Sequence, residues 1–219
     1  MATVTLLQLR TRARDRADMT NSAFIPDARL TEYVNASAQE LYDLLVQANQ
    51  DYFTSTQTTT VVSGNTISLP ATLYKLRGVD ISLGGEWVPV WPYEYLERGA
   101  WQNTSVSRLT ANIHYRLLGN TMELLPADQA PGDYRIRFVP LMVPMSLDAD
   151  TFDGMNGFEE YIVIDAAIKC KEKEESSTSG LKDEKDRIRK RILSMANVRD
   201  LGAPDVIQDT RPYRGYSCR

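Results

Sequence analysis

The apolar period of this chain changes twice along its length, which excludes an all-helical or an all-β fold. From Asp27 to about Asn49, Leu30, Val34, Leu41, Leu45 and Ala48 recur at three- to four-residue steps, with Tyr33, Ser37 and Leu44 widening the face. That spacing predicts a long amphipathic helix, and Pro26-Asp27 supplies its start. Ahead of it, Thr3 to about Met19 reads as a helix with the narrower stripe Leu6, Leu9, Ala13 and Ala17. At Asp51 the character turns to Thr, Tyr, Phe and Val, types that suit a pleated surface.

The region from 51 to about 145 reads as strands and tight turns. Asp51 to Val62 and Thr66 to Leu69 flank Ser63-Gly64-Asn65, a strand and its returning partner. Arg77 to Leu83 and Glu86 to Val90 flank Gly84-Gly85, and a short helix fits around Pro92 to Arg98. Ile113 to Leu118 and Thr121 to Leu125 flank Gly119-Asn120. In Tyr134 to Val139, Tyr134, Ile136 and Phe138 face one way and Arg135 and Arg137 the other. Trp87, Trp91 and Trp101 lie within this region; core packing is the expectation for at least two of them, and one exposed tryptophan could instead anchor a partner.

Helical spacing returns after Gly157. Asn156 and Glu159 form a capping-box pattern, and Phe158, Tyr161, Ile164, Ala167 and Ile168 define an inner face over 158 to about 175. After Ser176-Ser177-Thr178-Ser179-Gly180, a last helix runs from about Leu181 to Val198 with Leu181, Ile188, Ile192 and Met195 as its apolar side. Its acids come early and Arg187, Arg189, Lys190 and Arg191 late, a polarity that suits the macrodipole. The short break predicts an antiparallel hairpin. Its Lys169, Lys171 and Lys173 against Glu172, Glu174 and Glu175 read as solvated faces. The expected fold is therefore α+β: two N-terminal helices, an antiparallel β module, a helical hairpin and an extended C-terminal arm. The units are residues 1–50, 51–154, 155–199 and 200–219.

Composition limits the chemistry. The 219 residues include one histidine, His114, and two cysteines, Cys170 and Cys218. A framework of two disulfides is impossible, and zinc sites with two His ligands are excluded. Catalytic triads would all depend on His114, which shares a strand face with Arg116 and reads as a solvated side chain. Glu94 with Glu97, or Glu159 with Glu160, could be offered as a hydrolase pair, but 29 acidic residues generate such pairs freely. With 25 basic residues and a net charge of −4, the chain is no general coat for nucleic acid. No stretch approaches the roughly 18 to 20 apolar residues of a membrane helix, and maturation in a cytoplasm is expected. No cofactor or metal motif is present.

Two segments look built for contact. Arg10, Arg12, Arg14 and Arg16 fan around more than half of the first helix, suited to neighbouring subunits or to phosphates. The terminal segment from Asp200 alternates Arg211, Arg214 and Arg219 with Tyr213 and Tyr216. At about 3.3 Å per residue it can reach on the order of 65 Å. It is expected to be loose alone and ordered on a partner, with Arg211, Tyr213, Arg214 and Tyr216 as anchors.

The stretches from Tyr52 to Thr60, Leu69 to Asp80 and Phe158 to Ala167, in this order of helices, Thr-rich β insert, charged hairpin and tail, resemble the head-to-tail adaptor (connector) proteins of tailed bacteriophages. The resemblance covers about residues 3 to 200. It implies an antiparallel helical bundle of about four helices with the β module inserted, in a non-enzymatic virion protein assembled as a ring of twelve copies in the neck and made in the host cytoplasm. One end would meet the portal and the other the tail nozzle or tail tube. Packaged double-stranded DNA would cross the lumen with only transient, non-specific contact. The competing readings are a virion-associated peptidoglycan hydrolase and a sequence-indifferent DNA-binding module.

Overall fold

The computed structural model describes residues 4–19, 24–49, 51–102, 113–152 and 157–197. Helix α1, Leu6–Ala17, starts on a reciprocal cap: the Thr5 hydroxyl accepts from the Gln8 N–H at 3.3 Å, and Gln8 Oε1 accepts from the Thr5 N–H at 3.1 Å. Leu6, Leu9, Ala13 and Ala17 are its buried stripe, as their spacing predicts. Thr5→Ala is expected to lower stability by about 1 kcal/mol in urea unfolding, the usual worth of such a cap. Helix α2, Asp27–Ala48, is the long amphipathic element, with Pro26 at its N-cap.

Seven strands follow: β1 Ser55–Val61, β2 Thr66–Ser68, β3 Leu73–Leu83, β4 Glu86–Pro92, β5 His114–Leu118, β6 Thr121–Leu125 and β7 Gly132–Pro140. Between β4 and β5 lies the one-turn helix α3, Arg98–Trp101. The chain ends its described part with α4, Glu159–Lys173, and α5, Ser179–Asn197. Contacts between α4 and α5 step outward from their connection, from Lys182–Glu172 to Lys185–Asp165 to Arg191 on the Gly157 carbonyl, so the two helices are antiparallel.

The expected bundle with an inserted antiparallel module needs correction. The strands form one sheet in the order β1-β7-β3-β4-β5-β6-β2, and its end strands β1 and β2 touch, giving a nearly closed, barrel-like unit. This unit has its own core, including Val79, Ile81, Met122, Leu124, Tyr134 and Ile136. It stands beside the four long helices as a major part of a mixed α+β fold. It is also not wholly antiparallel, because β4 and β5 run parallel at Trp91–His114 and Pro92–Tyr115. Nor are β1 and β2 a hairpin: β1 pairs with β7 and β2 with β6. The turn at 62–65 instead joins the two ends of the sheet. Periodicity and turn residues reveal strands but not which of them pair across long separations.

Helix α4 is buried from Tyr161 through Ile168 on every side, where one inner face was expected, because α1, α2 and α5 all pack on it. On α5, Ile192 and Ala196 are buried and Ile188 half-buried, but Met195 is 55% exposed, so the apolar stripe runs through 188, 192 and 196. The capping-box Asn156 lies outside the described residues; Phe158 is the N-cap, and Glu159 accepts from the Gly157 N–H at 2.7 Å.

Among the described residues, helices and sheet meet beside β1 and β7. Antiparallel β1 and β7 meet the helical part at the same end, where Ser55 faces Phe138. There Tyr42, Val46 and Val139 form a small core. Tyr42 stacks on Phe53 with 4.3 Å between ring centroids and donates its hydroxyl to the Pro140 carbonyl at 2.6 Å. Burial pushes the Tyr42 phenol up to about 12, so it remains a donor at neutral pH. Tyr74 donates to Asp43 at 2.9 Å, and Arg77 pairs with Asp51 at 2.8 Å. Phe53→Ala is expected to cost about 3 kcal/mol in urea unfolding, the low end for losing a buried aromatic ring, because Phe53 is only partly covered.

Candidate interaction surfaces

Of the four N-terminal arginines, three are engaged inside the chain. Arg10 pairs with Asp148 and reaches Thr31, and Arg16 pairs with Glu184. Arg14 holds Asp27 at 2.9 Å and donates to the Ile25 carbonyl at 2.7 Å. Arg12 is exposed and makes no ion pair among the described residues. These pairs bind α1 to α2, to α5 and to the segment after β7. The tail anchors Arg211, Tyr213, Arg214 and Tyr216 lie outside the described residues.

The charged hairpin contains more than solvated faces. Asp165, buried within α4, accepts from Ser37 at 2.7 Å, from Lys185 at 2.6 Å and from Lys169. Glu40 on α2 binds the same two lysines, at 2.9 Å from Lys185 and 3.3 Å from Lys169. Two carboxylates thus balance two ammonium groups where α2, α4 and α5 meet. Burial pushes the Asp165 carboxyl up, but hydrogen bonds from Lys169, Lys185 and Ser37 outweigh it and hold the group below the usual range. Lys185 is desolvated, yet its bonds to Asp165 and Glu40 raise it above an ordinary lysine.

The sign of the resulting pH dependence follows from these directions. A depressed Asp165 stabilises the fold above the unfolded carboxyl value of about 3.9, and that contribution is lost as pH falls through the folded value. A raised Lys185 stabilises below about 10.4 and loses its contribution as pH rises through the folded value. Urea melts across pH are therefore expected to show a plateau between about 4.5 and 10, with Asp165→Asn flattening the acid limb.

The late cations of α5 are not explained by the macrodipole. Its last turn holds no basic residue and its first turn no acidic one, and the dipole acts only within those turns. Arg187, Arg189 and Lys190 are instead exposed in mid-helix and make no ion pair among the described residues.

At least two of the three tryptophans were expected in the core, and none belongs to the core of the sheet. On β4, Val88 and Val90 point inward, so Trp87 and Trp91 share the outer face. Trp87 lies under the Arg135 guanidinium at 3.9 Å from the ring centroid, and Trp91 is 66% exposed. Trp101 stacks on His114 with 3.8 Å between centroids. His114 is thus half-buried against an indole, where a solvated side chain was expected. Glu94 and Glu97 are exposed at the turn before α3.

Among the described residues two apolar surfaces are exposed, of which the sequence suggests only a tryptophan anchor. One is a protrusion after β4, where Trp91, Tyr95 and Leu96 are exposed. The other is a groove of about 410 Å³ at the helix–sheet joint, lined by Tyr52, Phe53, Met142, Val143 and Phe152 among others. Exposed Leu141 lines the same groove, and exposed Leu7 and Leu147 lie near each other, since the Leu7 N–H binds the Asp148 carbonyl. Surfaces of this kind mark contacts with partners.

The SU10 adaptor protein family model matches residues 4–207, nearly the whole chain. The chain belongs to this family. No curated protein sequence matches it significantly. Membership makes it a phage adaptor, a structural component of the virion neck, in line with the resemblance read from the Thr-rich β1 region and the α4 sequence. Among the described residues the adaptor presents two kinds of candidate contact surface: exposed apolar side chains at the joint and around the end of β4, and cations without an ion pair on α5 and at Arg12.

Proposed function

We propose that the adaptor assembles as a ring of twelve copies between portal and tail. One end meets the portal, the other the tail nozzle or tail tube, and the lumen continues the DNA channel. Assembly takes place in the host cytoplasm, and the ring remains in the neck of the virion. The family match over residues 4–207 carries this reading. The division into residues 1–50, 51–154, 155–199 and 200–219 then separates helical units and β unit from a docking tail whose anchors are Arg211, Tyr213, Arg214 and Tyr216.

Physical features of the chain support it. A helical part and a barrel-like part, joined by the Tyr42–Phe53–Val139 core, give one subunit two chemically different parts. With three of its four arginines tied to Asp148, Asp27 and Glu184, α1 serves internal cohesion, and Arg12 is left for a neighbour or a phosphate. Arg187, Arg189 and Lys190 suit transient contact with a duplex, since cations without base-reading partners bind phosphates regardless of sequence.

Mixing the chain with purified cognate portals and imaging the complexes tests this proposal. An added ring of density on one portal face is the expected outcome. A chain that leaves portals bare while degrading cell-wall substrate in a zymogram would overturn it.

A further inference from the structure

We infer that adjacent copies join head to tail by seating the protrusion of one, Trp91, Tyr95 and Leu96, in the apolar groove of the next, beside Phe53, Met142, Val143 and Phe152. The inference rests on the ring reading and specifies its subunit contact.

The protrusion is concentrated and held in place. Within six residues, Trp91 is 66%, Tyr95 49% and Leu96 88% exposed. Between them Tyr93 is buried, with its hydroxyl on Glu123 and its carbonyl accepting from Arg116 at 3.2 Å. Arg98 and Arg116 lie over the Tyr95 ring at 4.5 and 5.3 Å. Exposed aromatic and leucine side chains on a fixed backbone lose little freedom on docking, which favours affinity. Trp, Tyr and Arg are also the residue types that dominate binding hot spots.

The groove is equally prepared. The Tyr42–Phe53 stack and the Tyr42–Pro140 hydrogen bond fix one wall, and Val143 on its rim is 81% exposed. About 410 Å³ has room for a leucine and an aromatic ring. The two surfaces are distant in the same chain: β4, which carries the protrusion, lies three strand spacings from β1, beside which the groove opens. That is about 14 Å of sheet. Two complementary patches at different places on one molecule make a heterologous contact, and such a contact closes into a ring when its rotation permits. A second copy is therefore the occupant that satisfies both surfaces at once.

Area explains why the contact serves an assembly. Three such side chains bury on the order of 400 Å², about half of the roughly 800 Å² per partner in a standard stable interface. A lone pair of copies is held weakly. In a closed ring every copy makes the contact twice, once through each surface.

Cross-linking in a Cys218→Ser background tests the pairing, with one population carrying Leu96→Cys and another Val143→Cys. Both positions are exposed, and unchanged melting temperatures confirm folding. Mixed on portals under mild oxidation, the two are expected to give a one-to-one disulfide-linked dimer, a chain with both substitutions a ladder of multimers, and each single variant no homodimer. Leu96→Asp and Val143→Asp are each expected to abolish ring density. Portal-bound rings without the mixed cross-link, or homodimers of Leu96→Cys in equal yield, would overturn the contact and leave the ring standing. Portals that acquire no ring from the unsubstituted chain would overturn both.

Discussion

Asp165→Ala is expected to destabilise the fold by about 3 to 5 kcal/mol, the usual consequence of removing one partner from a buried ion pair. At this chain length that corresponds to a melting temperature lower by roughly 6 to 20 °C. The cause is local: Lys169 and Lys185 would keep their charges with only the half-exposed Glu40 to balance them, while the Ser37 hydroxyl would lose one of its two acceptors and fall back on the Tyr33 carbonyl at 2.8 Å. The same reasoning sets a control. Asp165→Leu combined with Glu40→Gln, Lys169→Met and Lys185→Met removes all four charges together and is expected to cost less than Asp165→Ala alone, because apolar groups of similar volume often replace buried ion pairs without loss. Calorimetry of the three proteins checks both statements. A loss below about 1 kcal/mol for Asp165→Ala, the range of exposed pairs, would show that the cluster is solvated and contributes little.

The second large effect concerns the terminus. Deleting residues 200–219 is expected to weaken portal binding by at least about 100-fold, since several Tyr and Arg anchors of about 2 kcal/mol each would be lost together. The melting temperature is expected to stay unchanged, because this segment, with Gly202, Pro204, Pro212 and Gly215 and only scattered apolar residues, has little to bury. Alanine at Arg211, Tyr213, Arg214 and Tyr216 is expected to reproduce most of the loss with the chain length intact. Unchanged affinity in a portal pull-down would exclude the tail from docking.

Local patterns in the sequence translated directly into structure. The spacing of Leu6, Leu9, Ala13 and Ala17 identifies the buried stripe of α1, and Gly84-Gly85 and Gly119-Asn120 mark real hairpins. In each case the relevant interaction lies within a few residues. The sheet order was not legible, since β1 finds β7 some eighty residues away and nothing local in Ser55–Val61 names its partner. The outward position of Trp87 and Trp91 was readable in principle from their alternation with Val88 and Val90. Size and hydrophobicity misled where strand parity was informative.

The candidate surfaces divide in the same way. Asp165 left a signal, a single acid inside the apolar run Tyr161–Ile168 with Lys169 four residues on, a spacing that brings the two side chains together. The groove left none, because its walls come from the segment before β1 and the segment after β7, brought together only by strand pairing. The N-terminal arginines were legible as a cluster, but their partners Asp148 and Glu184 are more than a hundred residues away.

Reconstruction of intact virions by electron microscopy tests the central claim most directly. The expected result is a ring at the head–tail junction into which this fold fits, with the four long helices and the seven-stranded sheet resolved in every copy and duplex density running through the centre. Density for this chain elsewhere in the particle, or a junction built without it, would contradict its role as the neck adaptor.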